Sequence, residues 1–263
     1  MIGLIEAALR EKRDEGHKLL VPYVTGGLGP DWVDVVRAIA AAGADAIEIG
    51  IPFSDPLMDG PVIQEATHRA LEQGATPMGV IGALKAVDAG VPLVVMTSYN
   101  IAFRAGHERF ARSLVANGVR GAILPDLPVD ELGEWAPIAA SAGVETILLA
   151  APTTPDDRLA LICERTHGWV YGVGMLGVTG ERDTLASSAS VIAKRLKAQT
   201  DKPVLVGVGV STAEQAVEAC ATADGVIVGS ALVRRLLDGA GPDGAAAFVA
   251  ELRAGLDELR GSA

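Results

Sequence analysis

Ala41-Ala42-Gly43-Ala44-Asp45-Ala46-Ile47-Glu48-Ile49-Gly50 runs from the end of a helix, through a turn, into a short apolar strand. Gly43 stands just past the helix end, where the chain needs a left-handed backbone that glycine adopts without strain. The same junction returns as Ala116-Asn117-Gly118-Val119-Arg120 and as Ser141-Ala142-Gly143-Val144-Glu145. Working outward, short runs rich in Val, Ile and Leu recur along the chain. Leu19–Val24, Asp45–Gly50, Pro92–Thr97, Gly121–Leu124, Glu145–Leu149, Trp169–Val173, Pro203–Gly207 and Gly225–Val228 read as strands bounded by turn residues. Helical patterns separate them, such as Asp31–Ala42, Arg109–Asn117 and Thr212–Cys220, the last opening after a Ser211 cap. Eight strands, each followed by a helix, imply a parallel sheet. No change of composition marks a second domain, so residues 1–263 read as a single α/β domain closed into a (β/α)8 barrel, in preference to an open doubly wound sheet.

Composition agrees with that reading. Of 263 residues, 49% are hydrophobic and only 4% aromatic, so the core is aliphatic, as strands buried on both faces require. A net charge of −11 repels a nucleic-acid backbone. It leaves room for a small phosphate ester, which backbone N–H groups can hold locally. Cys163 and Cys220, with His17, His68, His107 and His167, show no metal-ligand spacing and no disulfide framework. Met1 to Lys18 is charged and amphipathic, without the apolar core of a signal peptide. No apolar run is long enough to cross a bilayer, so a soluble, cytoplasmic protein without a membrane partner is expected.

Alternation along the second strand points Ile47 and Ile49 toward the helices, and Ala46, Glu48 and Gly50 into the barrel. A carboxylate in the barrel mouth is costly unless it has a partner or a task. A structural glutamate satisfied by backbone or a buried cation is the plain alternative. Burial would raise its pKa into the range useful for acid–base work near neutrality. The unit from Asp45 to Pro92 is the longest of the eight, and its surplus follows Gly50, at the rim where barrels carry their active sites. There Ile51-Pro52-Phe53-Ser54-Asp55-Pro56-Leu57-Met58-Asp59-Gly60-Pro61 holds two acids, stiffened by three prolines. Asp55, before Pro56, suits a turn, the role of Asp59 stays open, and Pro61 suits the first turn of a helix over Val62–Gln73. At the far end, Gly207-Val208-Gly209 closes the seventh strand and Gly229-Ser230 the eighth, ahead of a short helix Ala231–Leu237. Turns at those two strand ends commonly hold phosphate, with Ser230 able to cap the helix and donate to the ligand; tight turns alone are the bland reading. The glycine-rich, then polar, stretch 174–188 has the composition of a mobile lid.

Glu48-Ile-Gly-Ile-Pro-Phe-Ser-Asp-Pro-Leu-Met-Asp-Gly-Pro61 closely resembles the signature of tryptophan synthase alpha subunits. Pro22-Tyr23-Val24-Thr25, Met96–Asn100, Pro125–Pro128, Gly177–Gly180, Gly207–Ser211 and Gly229-Ser230 agree in order and spacing, and the resemblance runs from about residue 2 to about residue 260. It implies a single TIM barrel with an extra N-terminal helix and a short phosphate-binding helix after strand eight. The activity implied is retro-aldol cleavage of indole-3-glycerol phosphate to indole and glyceraldehyde 3-phosphate, in tryptophan biosynthesis. Catalysis falls to Glu48 as acid–base residue and to Asp59 at the indole N–H. Thr179, Tyr171 and Tyr23 support them, and Gly180, Gly209, Gly229 and Ser230 bind phosphate. No cofactor or metal is implied on this chain; pyridoxal phosphate belongs to a beta subunit that receives the indole within an alpha2beta2 complex.

Three positions depart from the family pattern. Thr25-Gly-Gly-Leu-Gly-Pro30 is one residue longer than usual and lacks an aspartate, Ser98 stands where tyrosine is common, and Val208 stands where phenylalanine is frequent. All three remove bulk or a polar handle near the expected pocket. They motivate a second reading, a stand-alone indole-3-glycerol phosphate lyase supplying another pathway. A third is a catalytically weak paralogue acting as an activating subunit.

Overall fold

A computed structural model describes residues 2–56, 58–174 and 182–259, with backbone only for 182–187. Eight strands, β1 (Leu19–Thr25), β2 (Ile47–Gly50), β3 (Leu93–Met96), β4 (Val119–Ile123), β5 (Glu145–Ala150), β6 (Val170–Val173), β7 (Val204–Gly207) and β8 (Gly225–Val228), form a closed barrel in chain order. Every neighbouring pair is parallel, and β8 returns to β1 through Leu19↔Gly225. The expected strands are present, with ends displaced by up to two residues. Gly43, Gly118 and Gly143 all have positive φ at helix ends, as the junction pattern requires.

Side-chain parity divides the core in two. Ile47, Ile49, Val95 and Val206 face the outer helices, while Leu19, Val21, Ala46, Val94, Ile123 and Leu205 fill the barrel. Ala46 and Glu48 thus point inward as alternation along β2 dictates.

The floor of the barrel is closed by the N-terminal helix Leu4–Asp14, whose Ile5 and Leu9 join the interior cluster beside Trp169 and Ile147. Glu145, first residue of β5, anchors it. Its carboxylate accepts the N–H groups of Ile5 at 2.6 Å and Glu6 at 3.1 Å, two of the donors that a helix start leaves unpaired. Two more buried acids latch the floor through strand starts. Asp45 accepts Leu20 N–H at 2.7 Å and pairs with Lys12 at 2.6 Å. Asp224 accepts Val204 N–H at 2.9 Å and pairs with Lys197. Both aspartates precede a strand, tie down the start of the strand before it, and pair with a lysine from a helix, Asp45 with Arg253 at 3.2 Å as well. A buried charge is tolerated when it is paired and hydrogen-bonded in this way.

At the opposite rim, helix Pro61–Glu72 begins at the proline expected to start it. Its Ile63 and Ala66 pack with Tyr23 of β1 and Val233 of helix Ser230–Leu237. An Arg234–Glu65 ion pair at 2.8 Å spans the two helices, so the loop after β2 and the turn after β8 are held together. Two caps differ from expectation. Thr212 caps helix Ala213–Cys220 by accepting Gln215 N–H, while the Ser211 hydroxyl bonds the Gln215 side chain. Ser230 is the first residue of its helix and Gly229 takes the cap position, so Ser230 makes no capping bond. In both cases the helix starts one residue away from the position that residue type suggests.

Candidate active site

A cleft of roughly 200 Å³ opens at the C-terminal rim of the strands. Glu48 (β2), Asp59, Tyr23 (β1), Tyr171 (β6), Gly209 and Gly229-Ser230 all line it. Seven of the nine residues expected from the sequence are therefore brought to one space. The other two, Thr179 and Gly180, lie outside the described residues, as do residues 175–181 of the stretch 174–188 read as a lid.

Glu48 sits deepest and is only 1% exposed. Its Oε2 has no hydrogen-bond partner among the described residues, unlike the latched acids of the floor. Burial, and secondarily the Asp59 charge, push its carboxyl up to about 8. Asp59 is half-buried, and burial raises its pKa as well. The two phenols are shifted upward too, first by burial. For Tyr23 the next cause is Asp59, and for Tyr171 it is Glu48. Both tyrosines therefore remain O–H donors across the working pH range.

Two glycines make room for the two rings. A Cβ on Gly50 would lie 1.8 Å from the Tyr23 hydroxyl oxygen, and one on Gly207 would lie 2.8 Å from the Tyr171 ring. Side-chain hydrogen bonds engage described residues of the loop after β2. Gln64 donates to the Asp59 carbonyl at 2.8 Å, and Asp55 accepts the Ser54 hydroxyl at 2.7 Å, a turn role.

Gly207, Val208, Gly209, Gly229 and Ser230 line the same cleft. Gly209 has φ +70°, a conformation that a side chain would strain. No lysine or arginine lines the cleft among the described residues. Any anion at this end would meet backbone N–H groups, the start of helix Ser230–Leu237 and the Ser230 hydroxyl. Among the described residues, no group of three or more His, Cys, Asp and Glu side chains could hold a metal ion.

The apolar walls were not singled out from sequence. Met96, Leu149, Ile227 and Ile63 line the cleft. Parity was the available signal: Met96 pairs with Gly50, and Leu149 with Tyr171, so each shares a face with a residue already assigned inward. The cleft also continues into a side lobe past Tyr23, Met58, Asp59, Met96 and Pro125, toward Phe53, Thr97, Ser98 and Asp126.

The family model described as tryptophan synthase alpha chain matches residues 9–259. The tryptophan synthase alpha chain of Thermobifida fusca is 42% identical over 96% of this chain and 97% of its own length. That of Streptomyces coelicolor is 41% identical, with 97% of each chain covered. Among solved structures, a chain of Mycobacterium tuberculosis tryptophan synthase superposes with a TM-score of 0.90 at 38% identity, covering 97% of this chain and 99% of that one. The tryptophan synthase alpha subunit of Legionella pneumophila gives a TM-score of 0.89 at 30% identity, covering 98% and 100%.

Proposed function

The chain belongs to the tryptophan synthase alpha chain family, lyases that split indole-3-glycerol phosphate into indole and glyceraldehyde 3-phosphate, and from that premise we propose the role of each residue in its cleft. The reaction breaks the bond between indole C3 and C3′ of the glycerol chain. C3 must gain a proton and the 3′-hydroxyl must lose one. A group that performs both transfers has to be a weak acid at neutral pH and has to lie out of water. Glu48 meets both conditions, because its carboxyl is pushed up to about 8 and is buried, with Oε2 free of partners among the described residues.

In this reading, neutral Glu48 protonates C3, leaving a positive charge spread toward the indole nitrogen. Asp59, as carboxylate, accepts the N–H and stabilises that cation. The Glu48 carboxylate then takes the 3′-hydroxyl proton as the C3–C3′ bond breaks. The aldehyde of glyceraldehyde 3-phosphate forms, the bond electrons restore the indole ring, and Glu48 returns to its starting state. Tyr23 and Tyr171 supply uncharged walls with fixed O–H donors. Thr179 would hold Asp59. Gly209, Gly229 and Ser230, with Gly180, would hold the phosphate through amide hydrogens and one hydroxyl. That arrangement tolerates the chain's net charge of −11, since the attraction is local.

We further infer that the chain carries no cofactor of its own and works in the cytoplasm. Its indole passes to a pyridoxal-phosphate-bearing beta subunit in an alpha2beta2 complex. The observation that supports the lyase reading is the buried Glu48 carboxyl, whose Oε2 has no partner among the described residues, in one cleft with the glycine turns. Indole release by the purified chain, with and without a beta subunit, tests the reading. Turnover that rises strongly on adding beta supports it. Fast turnover alone favours the stand-alone lyase, and no indole under any condition favours the weak paralogue.

A further inference from the structure

The loop after β1, where the chain is longer than the family pattern, grips both ends of the segment that carries Asp59. Gly26 N–H donates to the Gly50 carbonyl at 2.8 Å, at the end of β2 where that segment begins. Gly29 N–H donates to the Gln73 side chain at 3.0 Å, at the C-terminal end of helix Pro61–Glu72, which follows the segment. Between them, half-buried Leu28 packs against the cluster of Tyr23, Ile63, Ala66 and Val233. Ile63 and Ala66 belong to the first half of that same helix.

The fit is close. Gly27 has φ +81°, and a Cβ there would lie 2.8 Å from the Ala75 Cβ. A side chain at position 27 would strain the backbone and push the loop away from the helix end. The grip reaches Asp59 through Gln64, which stands beside Ile63 in the first turn of the helix. Its side-chain amide donates to the Asp59 carbonyl at 2.8 Å. The backbone of Asp59 is therefore tied to the helix whose residues share a cluster with Leu28.

We propose that the loop 26–30 is a clamp that sets where the Asp59 carboxylate stands relative to Glu48, and that Leu28 is its positioning residue. The proposal rests on the role given to Asp59 above. It predicts an effect on chemistry more than on binding, because Asp59 acts on the charge that develops as C3 is protonated, whereas the phosphate turns after β7 and β8 hold the ground state. Val233, on helix Ser230–Leu237, shares the cluster, so a merely structural loosening would reach the phosphate end as well. That difference separates the two explanations.

The test compares wild type, Leu28→Ala, Leu28→Met and Gly27→Ala, each assayed with the cognate beta subunit. It measures kcat, KM and the pH profile of kcat/KM for indole-3-glycerol phosphate, and the inhibition constant of glycerol 3-phosphate, which carries the phosphate and no ring. Leu28→Ala and Gly27→Ala should each lower kcat by about tenfold, a scale on which misplacing a catalytic group slows a reaction. KM and the inhibition constant should stay within about twofold. The alkaline limb of the profile should move to lower pH, because the Asp59 charge that helps raise Glu48 no longer stands as near. Tyr23 and Tyr171 stay protonated, so among the described cleft residues Asp59 is the charge that moves this limb. Leu28→Met keeps the volume and should return kcat to within about threefold of wild type. Gly27→Ala leaves the cluster side chains whole, so the test stands even if Leu28→Ala does not fold. Unchanged kcat in a folded variant, a limb that stays in place, or a weakening of glycerol 3-phosphate that matches the fall in kcat overturns the proposal while leaving the lyase intact. Failure of wild type to cleave indole-3-glycerol phosphate overturns the functional reading itself.

Discussion

Replacing Glu48 with glutamine should stabilise the protein at high pH while stopping its chemistry. The Glu48 carboxyl ordinarily titrates at 4.5 and is raised to about 8 by burial and by Asp59. The folded chain therefore holds this proton where the unfolded chain releases it. Stability is fully present below the unfolded pKa, declines as pH rises, and has lost the whole increment once pH passes the folded value. Each pKa unit corresponds to about 1.4 kcal/mol, so between about pH 5 and pH 9 the group costs roughly 4 kcal/mol. The side chain is fully buried, so solvent does not soften that figure. Glutamine has the same shape and nothing to ionise. Any misfit of its amide shifts the curve by a constant and leaves the slope unchanged. Chemical denaturation followed by circular dichroism at about pH 5, 7 and 9 gives the difference between the two proteins. It should grow in favour of Glu48→Gln by roughly 4 kcal/mol over that span, while indole release drops by at least about 100-fold. Parallel stability curves would refute the buried, proton-holding carboxyl, and with it the argument for its acid role.

Three further outcomes are expected. Asp59→Asn removes the negative charge that helps raise Glu48, so the limb of the kcat/KM profile near pH 8 should move to lower pH in whatever activity remains; an unmoved limb contradicts the coupling. Ser230→Ala should raise KM for the phosphate substrate with little change in kcat, and an unchanged KM counts against the phosphate assignment. Glu145→Ala leaves two helix N–H groups without their acceptor, costing about 1–3 kcal/mol. Amide exchange at Ile5 and Glu6 should accelerate far more than exchange in β5, and uniform acceleration would show that the helix is not separately latched.

The legible part of this protein was the part governed by local rules. Strand alternation placed Ala46, Glu48 and Gly50 inward, and the helix-end glycines fell where the backbone demanded them. Glu48 stood out because a carboxylate on an inward strand position contradicts its surroundings. Long-range relations were not legible. Nothing local reveals that Glu145 would reach across to a helix about 140 residues away. Asp45 and Asp224 look like ordinary junction acids until the closed barrel brings lysines to them. The cap positions slipped because Ser211 and Thr212 are both good caps, and only packing decides between them. Met96 and Leu149 escaped notice since an aliphatic residue on an aliphatic strand carries no local contradiction.

The two tyrosine–glycine interlocks bear on how such a cleft can evolve. Tyr23 occupies the volume that any side chain at position 50 would need, and Tyr171 does the same at position 207. Neither member of a pair can drift alone: enlarging the glycine first collides, and shrinking the tyrosine first leaves a hole. Mutational trajectories through this region are therefore epistatic, and lineages that remodel the aromatic wall should carry both changes in tandem.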